Sequence, residues 1–187
     1  LPNAITIARI LCAPVFLWLL LADGGTDGPA RWWAAVLFIL AIATDGIDGH
    51  IARKNDIVTD LGKLLDPIAD KALTGCAFVG LSILAELPWW VTVVVLVREV
   101  GITVYRLVVV SDHVLAAAWM GKLKTVAQAV ALALALLPLA DILGHWVIWV
   151  NIVTMWIAVL LTVASGVDYI VSEIRGSRRS RTDGAGT

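Results

Sequence analysis

The sequence predicts an all-α integral membrane protein, a bundle of six transmembrane helices with both termini in the cytoplasm. Three observations predict it. Of 187 residues, 60% are hydrophobic, and the mean hydropathy is +0.90. Soluble domains are nearer half apolar, and here the excess falls in runs long enough to cross a bilayer. Basic residues and tryptophans then collect at opposite ends of those runs. That segregation is expected of cytoplasmic anchors on one side and an interfacial aromatic belt on the other.

The spans follow in order. The first covers residues 2–21, and Pro14 is expected to kink it. Residues 22–29, A-D-G-G-T-D-G-P, read as a loop. The second span covers residues 30–54 and ends in a short polar break. The third covers residues 60–85, with Pro67 expected to bend it. Residues 86–88 form a tight turn before the fourth span, residues 88–110. A loop over residues 111–120 leads to the fifth, residues 121–139, and the sixth covers residues 145–174. The membrane domain is thus residues 1–174. Residues 175–187, basic and then Gly-rich, read as a disordered cytoplasmic tail. The first apolar run has no basic segment before it, so no cleavable leader is expected.

Orientation follows from charge. An even number of spans puts both termini on one side. That side holds Arg9, Arg53, Lys54, Lys63, Arg106, Lys122, Lys124 and the arginines after Ile174. The other holds Arg31 among Asp23, Asp27, Glu86 and Asp141. The basic side is the cytoplasmic one, in the cell membrane. Trp32, Trp33, Trp89, Trp90, Trp146 and Trp149 mark the outer ends of spans two, four and six. A net charge of −1 gives no reason to expect a nucleic-acid partner. Cys12 and Cys76 lie in apolar runs and read as small buried residues rather than a disulfide.

Four carboxylates stand out against this background. Asp45 and Asp48 are i, i+3, and Asp66 and Asp70 are i, i+4, so each pair shares one helical face. From Trp32 to Asp45 is roughly 20 Å of helix, and from Glu86 back to Asp70 roughly 24 Å. Antiparallel spans two and three would bring both pairs to the inner boundary of the hydrocarbon core. Carboxylates there are costly unless paired, metal-bound or facing water. Four together suggest a divalent-cation site, and all-oxygen ligation suits Mg²⁺ or Mn²⁺.

The stretch containing them reads Asp45-x2-Asp48-Gly49-x2-Ala52-Arg53-x8-Gly62-x3-Asp66-x3-Asp70. It resembles the full signature of the CDP-alcohol phosphatidyltransferase family. The resemblance implies transfer of a phosphatidyl group from CDP-diacylglycerol to an alcohol, with release of CMP, in membrane phospholipid synthesis. It implies two divalent ions on Asp45, Asp48 and Asp66, with Asp70 as general base and a further metal contact. It also implies a homodimer. Gly49, Arg53 and Thr59 are expected CDP-diacylglycerol contacts, as a close-approach glycine, a phosphate ligand and a helix N-cap. Asn3, on a polar face with Thr6 and Arg9, is a further candidate. The plainer readings are close packing for Gly49, a cap alone for Thr59 and a topology anchor for Arg53.

Residues 98–106, R-E-V-G-I-T-V-Y-R, residues 121–128, G-K-L-K-T-V-A-Q, and the opening L-P-N-A-I-T-I-A-R are similar to one branch of that family. In that branch the acceptor is sn-glycerol 3-phosphate. Arg106, Lys122 and Lys124 are then the expected cations for the acceptor phosphate, against a reading of the two lysines as topology anchors. Arg98, deeper and next to Glu99, reads as half of a structural pair. Inositol phosphate, serine or phosphatidylglycerol are alternative acceptors within the family. Outside it, a carboxylate-lined ion transporter is the alternative, but the repeat symmetry that would favour one is not evident.

Overall fold

The computed structural model describes the backbone of residues 2–54, 60–108 and 118–183, and the side chains of residues 8–44, 71–105 and 119–172. The described residues form helices and turns, with no strand. Six long helices are α1 (Pro2–Asp23), α2 (Pro29–Lys54), α3 (Asp60–Ile83), α4 (Trp89–Val108), α5 (Ala118–Leu136) and α7 (Trp146–Asp183). A single turn, α6 (Ala140–Leu143), links α5 to α7. Among the described residues one stretch, Trp146–Ser172 of α7, is by itself long and apolar enough to cross a membrane.

Local chemistry sets the boundaries. Asp23 closes α1 by accepting hydrogen bonds from the Asp27 and Gly28 backbone N–H groups at 3.0 and 2.8 Å. Gly24 and Gly25 take positive φ in that turn, and Pro29 opens α2 where a missing N–H costs nothing. Pro138 stops α5 at Leu136, short of the expected residue 139. The turn α6 lies between residues 139 and 145, which the sequence reading had left unassigned, and Gly144 ends it at φ 97°. α1 and α3 each run as one helix through Pro14 and Pro67.

The tail differs from expectation. Instead of ending at Ile174, α7 continues to Asp183. Residues 175–183 contain one glycine, no proline and four arginines. Arginine is a good helix former and its charge is favourable near a helix C-terminus, so nothing there breaks the helix.

The core sits where α1 and α3 pack closely, with α2, α4, α5 and α7 around them. Phe16, Leu20, Phe38, Leu73, Phe78 and Leu132 are essentially inaccessible. The Phe16 and Phe38 rings lie 5.6 Å apart between α1 and α2. Gly80 permits the α1–α3 approach, since a Cβ there would stand 2.6 Å from Leu20 Cδ2. A buried hydroxyl pair, Ser82 with Thr92 at 2.6 Å, ties α3 to α4. Outward-facing residues on α4 and α7 are instead apolar, Val93, Val97, Val104, Ile152, Val163 and Ile170 among them. Apolar faces turned away from the core suit a hydrocarbon solvent. Cys12 and Cys76 are free thiols and half-buried.

One end of the bundle is defined by the Asp/Glu/Arg residues read as external. Arg31, at the start of α2, bonds Glu86 beyond the end of α3 and the Leu136 carbonyl at the end of α5. The start of α7 joins them around a cavity of about 310 Å³ whose lining includes Glu86, Trp90, Ala135, Ile148 and Asn151. Trp33, Trp89, Trp90, Trp146 and Trp149 are all exposed, and Trp32 is half-buried. The tryptophan-rich ends of three helices thus meet at one end.

Candidate active site

Asp45 and Asp48 lie in the C-terminal part of α2, and Asp66 and Asp70 in the N-terminal part of α3. Both belong to the helix halves remote from Arg31 and the tryptophans. α2 and α3 each pack on α1, which holds the two halves to a common neighbour. The side chains of all four aspartates lie outside the described residues, as do those of Asn3, Gly49, Arg53 and Arg106. Asn3 is in the first turn of α1, Gly49 and Arg53 in the last turns of α2, and Arg106 in the last turn of α4. Thr59 lies outside the described residues altogether.

Just after Asp70 on α3 the described side chains begin with an ionic cluster. Lys71 follows Asp70 directly. Its ammonium bonds one oxygen of Glu99, on α4, and the Lys124 ammonium, on α5, bonds the other. Arg98 Nη1 donates to that second oxygen at 2.9 Å. Three cations from three helices therefore meet one carboxylate. Glu99 is 6% exposed and Lys124 2%, whereas Lys71 is 29% exposed. Charges so deep are tolerated only when paired.

Polar bonds extend this cluster to α7. Arg98 Nη2 donates to Ser165 Oγ at 2.9 Å, and Ser165 donates to the Thr162 carbonyl. Gln128 Nε2 donates to Thr162 Oγ1 at 2.8 Å. The expected Arg98–Glu99 pair is present.

The two lysines expected at the acceptor phosphate are not brought together. Lys122 is exposed, and Lys124 is buried against Glu99. Residues two apart on a helix point about 200° apart, so the two face opposite ways. Lys71 was missed by the sequence reading, and Glu99 was noted there only as a partner of Arg98. A usable signal existed, because Glu99 is a carboxylate in the middle of an apolar span and requires a partner.

A second ionic cluster occupies the other end. Asp27 Oδ1 is 3.1 Å from Arg31 Nε. Burial raises the Asp27 carboxyl above its ordinary pKa; Arg31 opposes the rise, and Glu86, Asp141 and Asp23 reinforce it. Through Arg31 this cluster ties the start of α2 to Glu86 and to the end of α5, at the helix ends opposite the aspartates.

Residues 1–164 match the family model described as CDP-alcohol phosphatidyltransferase. The chain belongs to that family. The matched region contains the four aspartates and the Lys71–Glu99–Lys124 cluster. The chain is 47% identical to a probable phosphatidylglycerophosphate synthase of Mycobacterium tuberculosis strain H37Rv, over 94% of this chain and 82% of the relative. It is 38% identical to the CDP-diacylglycerol–glycerol-3-phosphate 3-phosphatidyltransferase of Bacillus subtilis, over 90% of this chain and 92% of the relative. A CMP-forming cardiolipin synthase of Streptomyces coelicolor is 37% identical, over 53% of this chain and 46% of the relative. Membership in the CDP-alcohol phosphatidyltransferase family makes this a phosphatidyl-transferring enzyme rather than an ion transporter.

Proposed function

We propose that this enzyme transfers the phosphatidyl group of CDP-diacylglycerol to sn-glycerol 3-phosphate, forming phosphatidylglycerophosphate and CMP. One observation carries the acceptor. The relatives of Bacillus subtilis and Rickettsia typhi, each aligned over 90% of this chain, are named for glycerol 3-phosphate, while the cardiolipin synthase aligns over 53% of it. In this reading the six long helices are six spans of the cell membrane, and the segregation of basic residues from the tryptophans supports placing both termini and the aspartates on the cytoplasmic side. A homodimer is part of the same reading.

The donor set of Asp45, Asp48, Asp66 and Asp70 is all oxygen and fits two hard divalent ions, Mg²⁺ or Mn²⁺. When bound, such ions neutralise the pyrophosphate and stabilise the departing CMP. Asp70 accepts the proton of the acceptor's primary hydroxyl. That oxygen attacks the phosphorus bearing the lipid, and the bond from that phosphorus to CMP breaks, CMP keeping the electron pair. Asn3, Gly49, Arg53 and Thr59 receive the CDP moiety. Arg106 and Lys124 hold the acceptor phosphate, and exposed Lys122 steers the anion toward them. A phosphate held at one end leaves the hydroxyl at the other free to reach the reacting phosphorus.

The testing experiment is CMP release from CDP-diacylglycerol by the purified protein, with glycerol 3-phosphate, inositol phosphate, serine or phosphatidylglycerol offered in turn. Turnover with glycerol 3-phosphate above the others is expected. Preference for phosphatidylglycerol would move the chain to the cardiolipin synthase reading.

A further inference from the structure

Glu99 is a carboxylate that the proposed chemistry does not use, yet it gathers the heads of Lys71, Lys124 and Arg98. The partners are not equivalent. Arg98 is fastened on its far side to Ser165 of α7, so it anchors the carboxylate. The lysines come from α3 and α5 and take one carboxylate oxygen each. An ammonium has three donors, and Lys124 spends one on Glu99 with no other hydrogen bond to a described residue. Glu99 and Lys124 are buried and Lys71, the neighbour of Asp70 in sequence, is partly exposed, so an anion would enter on the Lys71 side and reach Lys124 behind it. A phosphate monoester supplies several acceptor oxygens and about two negative charges. It is the kind of ligand that two converging ammonium groups recognise.

We propose that Glu99 is the positioning residue of the acceptor-phosphate pocket, holding Lys124 and Lys71 so that both ammonium groups meet the phosphate beside Asp70. The inference rests on the phosphate-bearing acceptor proposed above and adds Lys71 to its contacts. Without the carboxylate, like charges repel and long lysine stems swing toward water. The phosphate must then reassemble its own site, which weakens binding rather than chemistry. Simple charge counting predicts the opposite sign, because removing an anion from a cationic pocket should tighten anion binding.

Steady-state kinetics with both substrates varied separates these outcomes. Glu99→Gln and Lys71→Met should each raise the KM for glycerol 3-phosphate about tenfold. The KM for CDP-diacylglycerol and kcat should stay near wild type. The double variant should be little worse than the weaker single variant, since the two residues act as a unit. Glu99→Asp, which keeps the charge, should recover much of the loss. An acceptor KM that is unchanged or lower in Glu99→Gln overturns the proposal, as does a parallel rise in both KM values. Should Glu99→Gln fail to fold, an unchanged acceptor KM in Lys71→Met overturns it equally. If Lys124→Met raises the acceptor KM but Glu99→Gln does not, this inference alone fails. If Lys124→Met also leaves it unchanged, or wild type does not use glycerol 3-phosphate, the acceptor reading fails and takes this inference with it.

Discussion

Arg31 and Glu86 meet in a two-pronged ion pair, Nη1 to Oε1 at 2.5 Å and Nη2 to Oε2 at 2.6 Å. The same guanidinium donates to the carbonyls of Leu136 at 3.1 Å and Ala135 at 2.9 Å. One side chain thus fastens the start of α2 to the α3–α4 turn and the end of α5, at the end of the bundle away from the aspartates. Arg31→Ala leaves two carbonyls and a carboxylate without their donor. It should cost about 1.5–3 kcal/mol, the usual scale for hydrogen bonds to a charged group, since Glu86 keeps partial access to water. Thermal unfolding in detergent measures that loss. KM values of the surviving folded fraction should match wild type, and a selective change in either would place Arg31 in the chemistry instead.

Divalent-ion dependence follows from the aspartates. Chelation by EDTA should abolish CMP release, and Mg²⁺ or Mn²⁺ should restore it. Asp45→Asn and Asp66→Asn should lose both turnover and measurable binding of Mn²⁺. Full activity in excess chelator removes the two-ion reading.

The general base is a separate matter. Asp70→Asn should keep most CDP-diacylglycerol binding while transfer falls by about 10²–10⁴-fold. A larger fall is expected if the residue also holds a metal ion. A wild-type rate in this variant ends the assignment.

Lys122 and Lys124 should differ sharply. Lys124→Met removes a buried cation and, if it holds the acceptor phosphate, should raise the glycerol 3-phosphate KM by about 10–150-fold, as expected for a lost charge-assisted hydrogen bond. Arg106→Ala should behave alike. Lys122→Ala removes an exposed charge, whose effect should be a few-fold at most and should vanish at high salt. Equal effects at both lysines would contradict their placement on opposite faces of α5.

Much of the fold was legible because its determinants are local. Apolar runs bounded by glycine, proline and short polar turns marked six long helices to within a few residues at most boundaries. Pro138 ends α5 earlier than its apolar run suggests, and the basic stretch after Ile174, whose composition reads as a tail, stays helical to Asp183. The candidate site was legible in its spacing: i, i+3 and i, i+4 carboxylates share a face wherever a helix forms.

Lys124 shows where that legibility stopped. Sequence spacing alone places Lys122 and Lys124 on different faces of one helix, but not which face meets α4. Packing turned Lys124 inward onto Glu99, brought Lys71 to the same carboxylate from α3, and left Lys122 outside. Likewise, Arg31 and Glu86 were visible as lone charges at one end, and only the meeting of α2, α3 and α5 made them partners. Periodicity along a chain specifies each helix and its faces. Which faces meet depends on side-chain shapes and charges from segments far apart in sequence, and those are matched only when the helices pack.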